Sequence, residues 1–76
     1  MKAIAVENIL AQVLQMDGEL NATIRTNSGD EYTFNIGDNE ELMPESVEKD
    51  GILEIFCKGA GTAWIDIDSI ESMRIE

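Results

Sequence analysis

Residues 20–36 read LNATIRTNSGDEYTFNI, and this stretch decides the fold. Leu20, Ala22 and Ile24 alternate with Asn21, Thr23 and Arg25, while Tyr32, Phe34 and Ile36 alternate with Glu31, Thr33 and Asn35. A period of two places one residue set on each side of an extended chain, so both halves read as strands with a single buried face. Between them Asn27-Ser28-Gly29-Asp30 supplies the chemistry of a tight reversal, and the pair forms a β-hairpin.

Upstream of the hairpin, Val6, Ile9, Leu10, Val13 and Leu14 fall at helical spacing, with Glu7, Asn8, Gln12 and Gln15 opposite. The pattern predicts an amphipathic helix over residues 3–17, ended by Asp17-Gly18, where glycine accepts a positive φ. Downstream, residues 37–50 lose the alternation and collect charge around Pro44. They read as an acidic loop, long for a compact domain, in which Pro44 suits the first position of one helical turn through Val47.

Ile52, Leu53, Ile55, Phe56 and Cys57 make a run apolar on both faces, as a central strand at about 51–58 needs when sheet interior covers one side and the helix the other. Lys58-Gly59-Ala60-Gly61 turns the chain into a strand at about 62–67. There Ala63, Ile65 and Ile67 share one face, and Trp64, Asp66 and Asp68 the other. Ile70, Met73 and Ile75 anchor a last strand at about 70–75. The expected fold is a single α+β domain over 1–76, an N-terminal amphipathic helix followed by a five-stranded antiparallel, strongly bent sheet or small barrel.

A helix leading into five short, glycine-punctuated strands resembles the small Sm-like and SH3-like barrels. The resemblance lies in element order and covers nearly the whole chain. Sm-like proteins assemble into rings through edge strands and bind RNA with basic and aromatic residues in the late strand-turn-strand region. Asp66, Asp68 and Glu71 stand there in this chain, so ring assembly is what the resemblance implies, and RNA binding does not carry over.

Composition narrows the functional classes. Sixteen Asp and Glu against five Lys and Arg give a net charge of −11, which repels phosphate backbones and anionic lipid head groups. Neither direct nucleic-acid binding nor membrane binding is expected. Between residues 30 and 54, nine carboxylates oppose Lys49 alone, a net −8. Such a run serves either as a solvated face or as a docking surface for a basic partner. Cys57 is the lone cysteine, so no intrachain disulfide or multi-cysteine zinc site forms, and a cytoplasmic location is expected. The N-terminal apolar run is broken at Glu7 and Asn8 before a secretory core develops.

Histidine is absent, which removes Ser-His-Asp and Cys-His triads, imidazole-held zinc and histidine bases. Asp66 and Asp68, two apart on the expected strand, point the same way and would hold a hydrated magnesium ion only if a third acid converged. The Asp17-Glu19-Asn21 and Asp38-Glu40 alternations lack the spacing of a calcium loop. Gly59-Ala60-Gly61-Thr62 has its lysine before the glycines and a strand after them, which is a hairpin turn and not a phosphate cradle. Cys57 within its apolar run reads as an inert core thiol. No catalytic residue, cofactor or metal ligand is assigned. Trp64 stands out: it either packs beneath the helix or lies exposed beside Asp66 and Asp68, a setting for an interface anchor or a cationic ligand.

The expectation is therefore a non-enzymatic, acidic protein-interaction module. It self-associates and contacts a basic macromolecular partner through Glu40, Glu41, Glu45, Glu48, Trp64, Asp66 and Asp68. Two alternatives draw on the same composition. One is a nucleic-acid-mimicking inhibitor, a phage-type decoy whose carboxylates over residues 38–54 occupy the groove of a DNA- or RNA-binding protein. The other is an oligomeric small-ligand binder whose pocket forms between subunits.

Overall fold

The computed structural model describes residues 1–39 and 51–76. One helix and five antiparallel strands make an α+β fold. Helix α1 spans Ala3–Val13, with Val6, Leu10 and Val13 as its buried stripe. It stops short of the expected residue 17. Beyond Leu14 the amides bond only three residues back, Gln15 to Gln12 (3.2 Å) and Met16 to Val13 (3.0 Å), the tightening that closes many helices. Leu14 and Met16 are exposed, so no apolar burial rewards a further turn.

Strands β1 (Asn21–Thr26) and β2 (Glu31–Asn35) form the expected hairpin, with Ala22 opposite Phe34 and Ile24 opposite Tyr32. Its turn is closed by the Thr26 N–H donating to the Asp30 carbonyl and the Gly29 N–H to the Thr26 carbonyl, both at 2.9 Å. Gly29 has φ +92° there, a conformation that costs residues with a Cβ. Strands β3 (Ile52–Cys57) and β4 (Gly61–Asp66) form a second hairpin. A 3₁₀ turn, Ile67–Ser69, leads into β5 (Ile70–Ile75), which pairs with β1 on the side away from β2. The β1–β5 register shifts so that Arg25 faces Ser72 while Thr26 faces Ile70. This bulge at Glu71 lets Ile70 and Met73, three residues apart, both turn toward the core.

The ladders make two sheets, β2-β1-β5 and β3-β4. This differs from the single bent sheet or small barrel implied by element order, and no barrel closes among the described residues. The break has a local cause. After Asn35 the chain enters a 3₁₀ turn, Gly37–Asn39, and backbone pairing between β2 and β3 is lost. Asn39, 7% exposed, spans the gap with its side chain. Its Nδ2 donates to the carbonyls of Asn35 (2.8 Å) and Phe56 (3.0 Å), and its Oδ1 accepts the Phe56 N–H (2.7 Å). A carboxamide presents the donor and acceptor of a peptide group, so Asn39 substitutes for a missing strand residue.

Val6, Ile24, Leu53, Ile55, Ile67 and Ile70 fill the space between the two sheets. Helix α1 closes over the same interior, where Leu10 and Leu14 meet Phe34, Ile36 and Leu53 around a cavity of about 10 Å³. The helix therefore does not cover the far side of β3. Ile52 and Phe56, expected to lie beneath it, are 48% and 44% exposed. Eleven helical residues reach only about 16 Å, enough to cap one opening of this core and not a second face.

Asn39→Ala is expected to lower stability by about 1–3 kcal/mol, the cost of leaving buried backbone groups unsatisfied. Asn39→Asp is expected to lower it further at neutral pH, because a carboxylate oxygen then faces two carbonyls in place of the donating amide. Urea unfolding of the two variants checks this. Wild-type stability in Asn39→Ala would mean that the amide bridge contributes nothing.

Candidate functional site

Cross-strand pairs share a face, so the β3–β4 register fixes which side chains stand together outside the core. Ile52 lies opposite Asp66, Glu54 opposite Trp64 and Phe56 opposite Thr62. The alternate residues, Leu53, Ile55, Cys57 and Ile65, are buried, which sends these six outward. Trp64 is 67% exposed, so the arrangement in which it packs beneath α1 is ruled out. With Ile52 and Phe56 it makes an apolar strip crossed by two carboxylates, Glu54 and Asp66. No Lys or Arg belongs to these six positions. Lys58, the cation nearest in sequence, lines a different groove with Glu19 and Asp38.

Asp66 ends β4 and opens the following 3₁₀ turn. Its Oδ1 accepts the Asp68 N–H at 3.0 Å, and its carbonyl accepts the Ser69 hydroxyl at 2.7 Å. Asp68 therefore sits in the turn and does not extend the strand, as its sequence parity implied, so the two carboxylates do not stand side by side on one strand face. The turn forms because the Asp66 side chain satisfies an amide that a continued strand would leave to a partner.

On the other side of Trp64 an open groove of about 320 Å³ runs between β4 and the end of the β1–β2 hairpin, lined by Thr26, Asn27, Ser28, Asp30, Tyr32, Trp64, Ile65, Asp66 and Ser69. The hairpin end is tied to the 3₁₀ turn by the Asn27 N–H donating to the Ser69 carbonyl at 2.8 Å. Within it the Thr26 and Ser28 hydroxyls lie 2.9 Å apart, and Ser28 Oγ donates to Asp30 Oδ2 at 3.1 Å.

Among the described residues no group of three or more Cys, Asp or Glu side chains is placed to hold a metal ion. No helix among them is long and apolar enough to cross a membrane. Cys57 is buried, at the inward parity of β3.

Of the residues assigned from sequence, Trp64 and Asp66 share the outer face and Asp68 lies just beyond it. Glu40, Glu41, Glu45 and Glu48, with most of the acidic loop at 37–50, lie outside the described residues. Sequence reasoning passed over Ile52, Glu54 and Phe56 by taking residues 52–57 as buried on both sides. Glu54 was the available signal: a carboxylate between Leu53 and Ile55 marks its own parity as outward, and Ile52 and Phe56 share that parity. No family model, curated protein or solved structure matches the chain.

Trp64→Ser is expected to change stability by no more than about 1 kcal/mol, the span of strand preference at an exposed site. Ile55→Ala, at a fully buried position of the same hairpin, is expected to cost about 2–5 kcal/mol. Thermal unfolding of both variants tests the facing of the strip, and a large loss in Trp64→Ser would contradict it.

Proposed function

We propose that this chain is a non-enzymatic, acidic interaction module that presents the outer face of β3–β4 to a basic protein. The observation that carries this reading is Trp64, 67% exposed on a strip with Ile52 and Phe56. An exposed indole on a rigid strand supplies contact area at low entropic cost and is the type of residue that dominates binding energy at interfaces. Large exposed apolar groups that sit together are uncommon without an occupant.

The chemistry of that occupant follows from charge. Glu54 and Asp66 cross the strip, and the chain carries −11 overall, so a partner bearing Lys and Arg is drawn in at long range and paired at contact. A second copy on the same face would bring like charges together. Self-association is accordingly assigned to the outer edge of β5, which has no partner strand among the described residues and whose pairing across a two-fold axis leaves the β3–β4 face open. Cytoplasmic residence belongs to the same proposal and is supported by the lone cysteine's place in the core.

Titration with a short peptide alternating lysine, arginine and serine, followed by isothermal titration calorimetry, tests the partner assignment. Saturable binding that weakens as salt rises and falls about tenfold or more in Trp64→Ala is expected, the loss of one interface anchor. Binding indifferent to Trp64→Ala and lost when Glu40, Glu41, Glu45 and Glu48 are neutralised would move the function to the acidic loop, and no binding at all would remove the basic partner. Sedimentation equilibrium tests the other half, since a strict monomer at high micromolar concentration would remove self-association.

A further inference from the structure

The groove beside Trp64 differs from the strip in front of it, and the geometry points to a specific use: it receives an arginine side chain of the basic partner. This rests on the proposed interaction with a basic protein and says which residue that protein must carry and where it goes. The groove has two kinds of wall. Trp64 and Tyr32 offer aromatic surface, and Asp30 and Asp66 offer carboxylates, with no Lys or Arg lining it among the described residues. An anion is excluded by that charge. Metal chemistry is not favoured either, because among the described residues no third ligating side chain joins the pair.

Both carboxylates are held by the chain's own donors on one oxygen. Asp66 Oδ1 takes the Asp68 N–H and Asp30 Oδ2 takes the Ser28 hydroxyl. Each thereby keeps a fixed orientation while its second oxygen, without a partner among the described residues, stays available. Orientation set before binding removes an ordering cost at the moment of contact.

Arginine fits this better than lysine for three reasons. A planar guanidinium stacks on an indole face, and its five N–H groups can meet more than one acceptor; Asp30, Asp66, Thr26 and Ser28 all line this groove. It is also more weakly hydrated than an ammonium, so an open groove strips its water at lower cost. About 320 Å³ admits the planar group with part of its stem, whereas an ammonium offers fewer and less spread donors to the same walls.

The test compares two peptides identical except that every arginine in one is lysine in the other. Affinity is measured by Trp64 fluorescence and position by amide chemical-shift mapping of the whole chain. The arginine peptide is expected to bind about tenfold tighter, the scale of one stacked, charge-assisted contact. Shifts are expected at Ser28, Tyr32 and Ser69 as well as at the Trp64 indole N–H. Asp30→Asn and Asp66→Asn, the latter keeping a capping oxygen, should each weaken the arginine peptide several-fold and narrow the gap to lysine. Equal affinities with shifts confined to Ile52, Glu54 and Phe56 would overturn the arginine groove while leaving the interaction surface intact. No binding of either peptide would remove both. Should either variant fail to fold, the peptide contrast and shift map on the unaltered chain decide the matter alone.

Discussion

The structure depends on one side-chain amide. Asn39 is where the ladder of β2 is handed to β3, and the exchange is made by Nδ2 and Oδ1 instead of by backbone. Without it the part-buried N–H and carbonyl of Phe56 would lose their protein partner, a cost that a domain of 76 residues cannot easily absorb, since small chains bury too little surface to carry unsatisfied groups. The bridge also has a geometric effect. It holds the β3–β4 hairpin against the three-stranded sheet, so that Leu53 and Ile55 face Ile24 and Phe34 across a shared core while the opposite parity of β3 is left to solvent.

The proposed function rests on that parity. A strand in the middle of a continuous sheet with a helix on its back would have hidden Ile52 and Phe56. Here a single three-turn helix is occupied with the opening between the sheets, and the second hairpin has one covered side only. The exposed strip is thus a by-product of economical construction, and it carries an indole and two carboxylates. The same hairpin end that caps β1–β2 also forms one bank of the groove beside that indole, because the Asn27 amide is fastened to Ser69.

Much of the fold was legible in the sequence, and the reason differs by segment. The alternations at 20–25 and 31–36 are strict, with polar residues on one parity, so the first hairpin could be read without ambiguity. The helix was legible in type but not in length, because Leu14 and Met16 extend the apolar pattern past the point where burial ends. Residues 52–57 mislead because Ile and Phe occupy solvent-facing positions, and apolar character alone does not tell a strand covered on both sides from one covered on a single side. Asp68 was placed on a strand because its parity continued that of Trp64 and Asp66, while the capping bond that stops the strand at Asp66 is a matter of side-chain geometry. The role of Asn39 had no readable signal, since a lone asparagine after Gly37-Asp38 looks like any turn residue.

Mounting the exposed strip on a hairpin secured through a carboxamide has a thermodynamic corollary. Leu53, Ile55 and Ile65 of that hairpin belong to the one buried core, so loosening the carboxamide weakens the packing of the whole domain and not of the hairpin alone. A partner of the kind proposed would stabilise the intact arrangement, and by reciprocity a change that loosens the clasp would cost affinity through Phe56, the strip residue that Asn39 holds. Asn39, itself outside the exposed strip, would thereby couple the steadiness of the fold to the strength of the proposed contact.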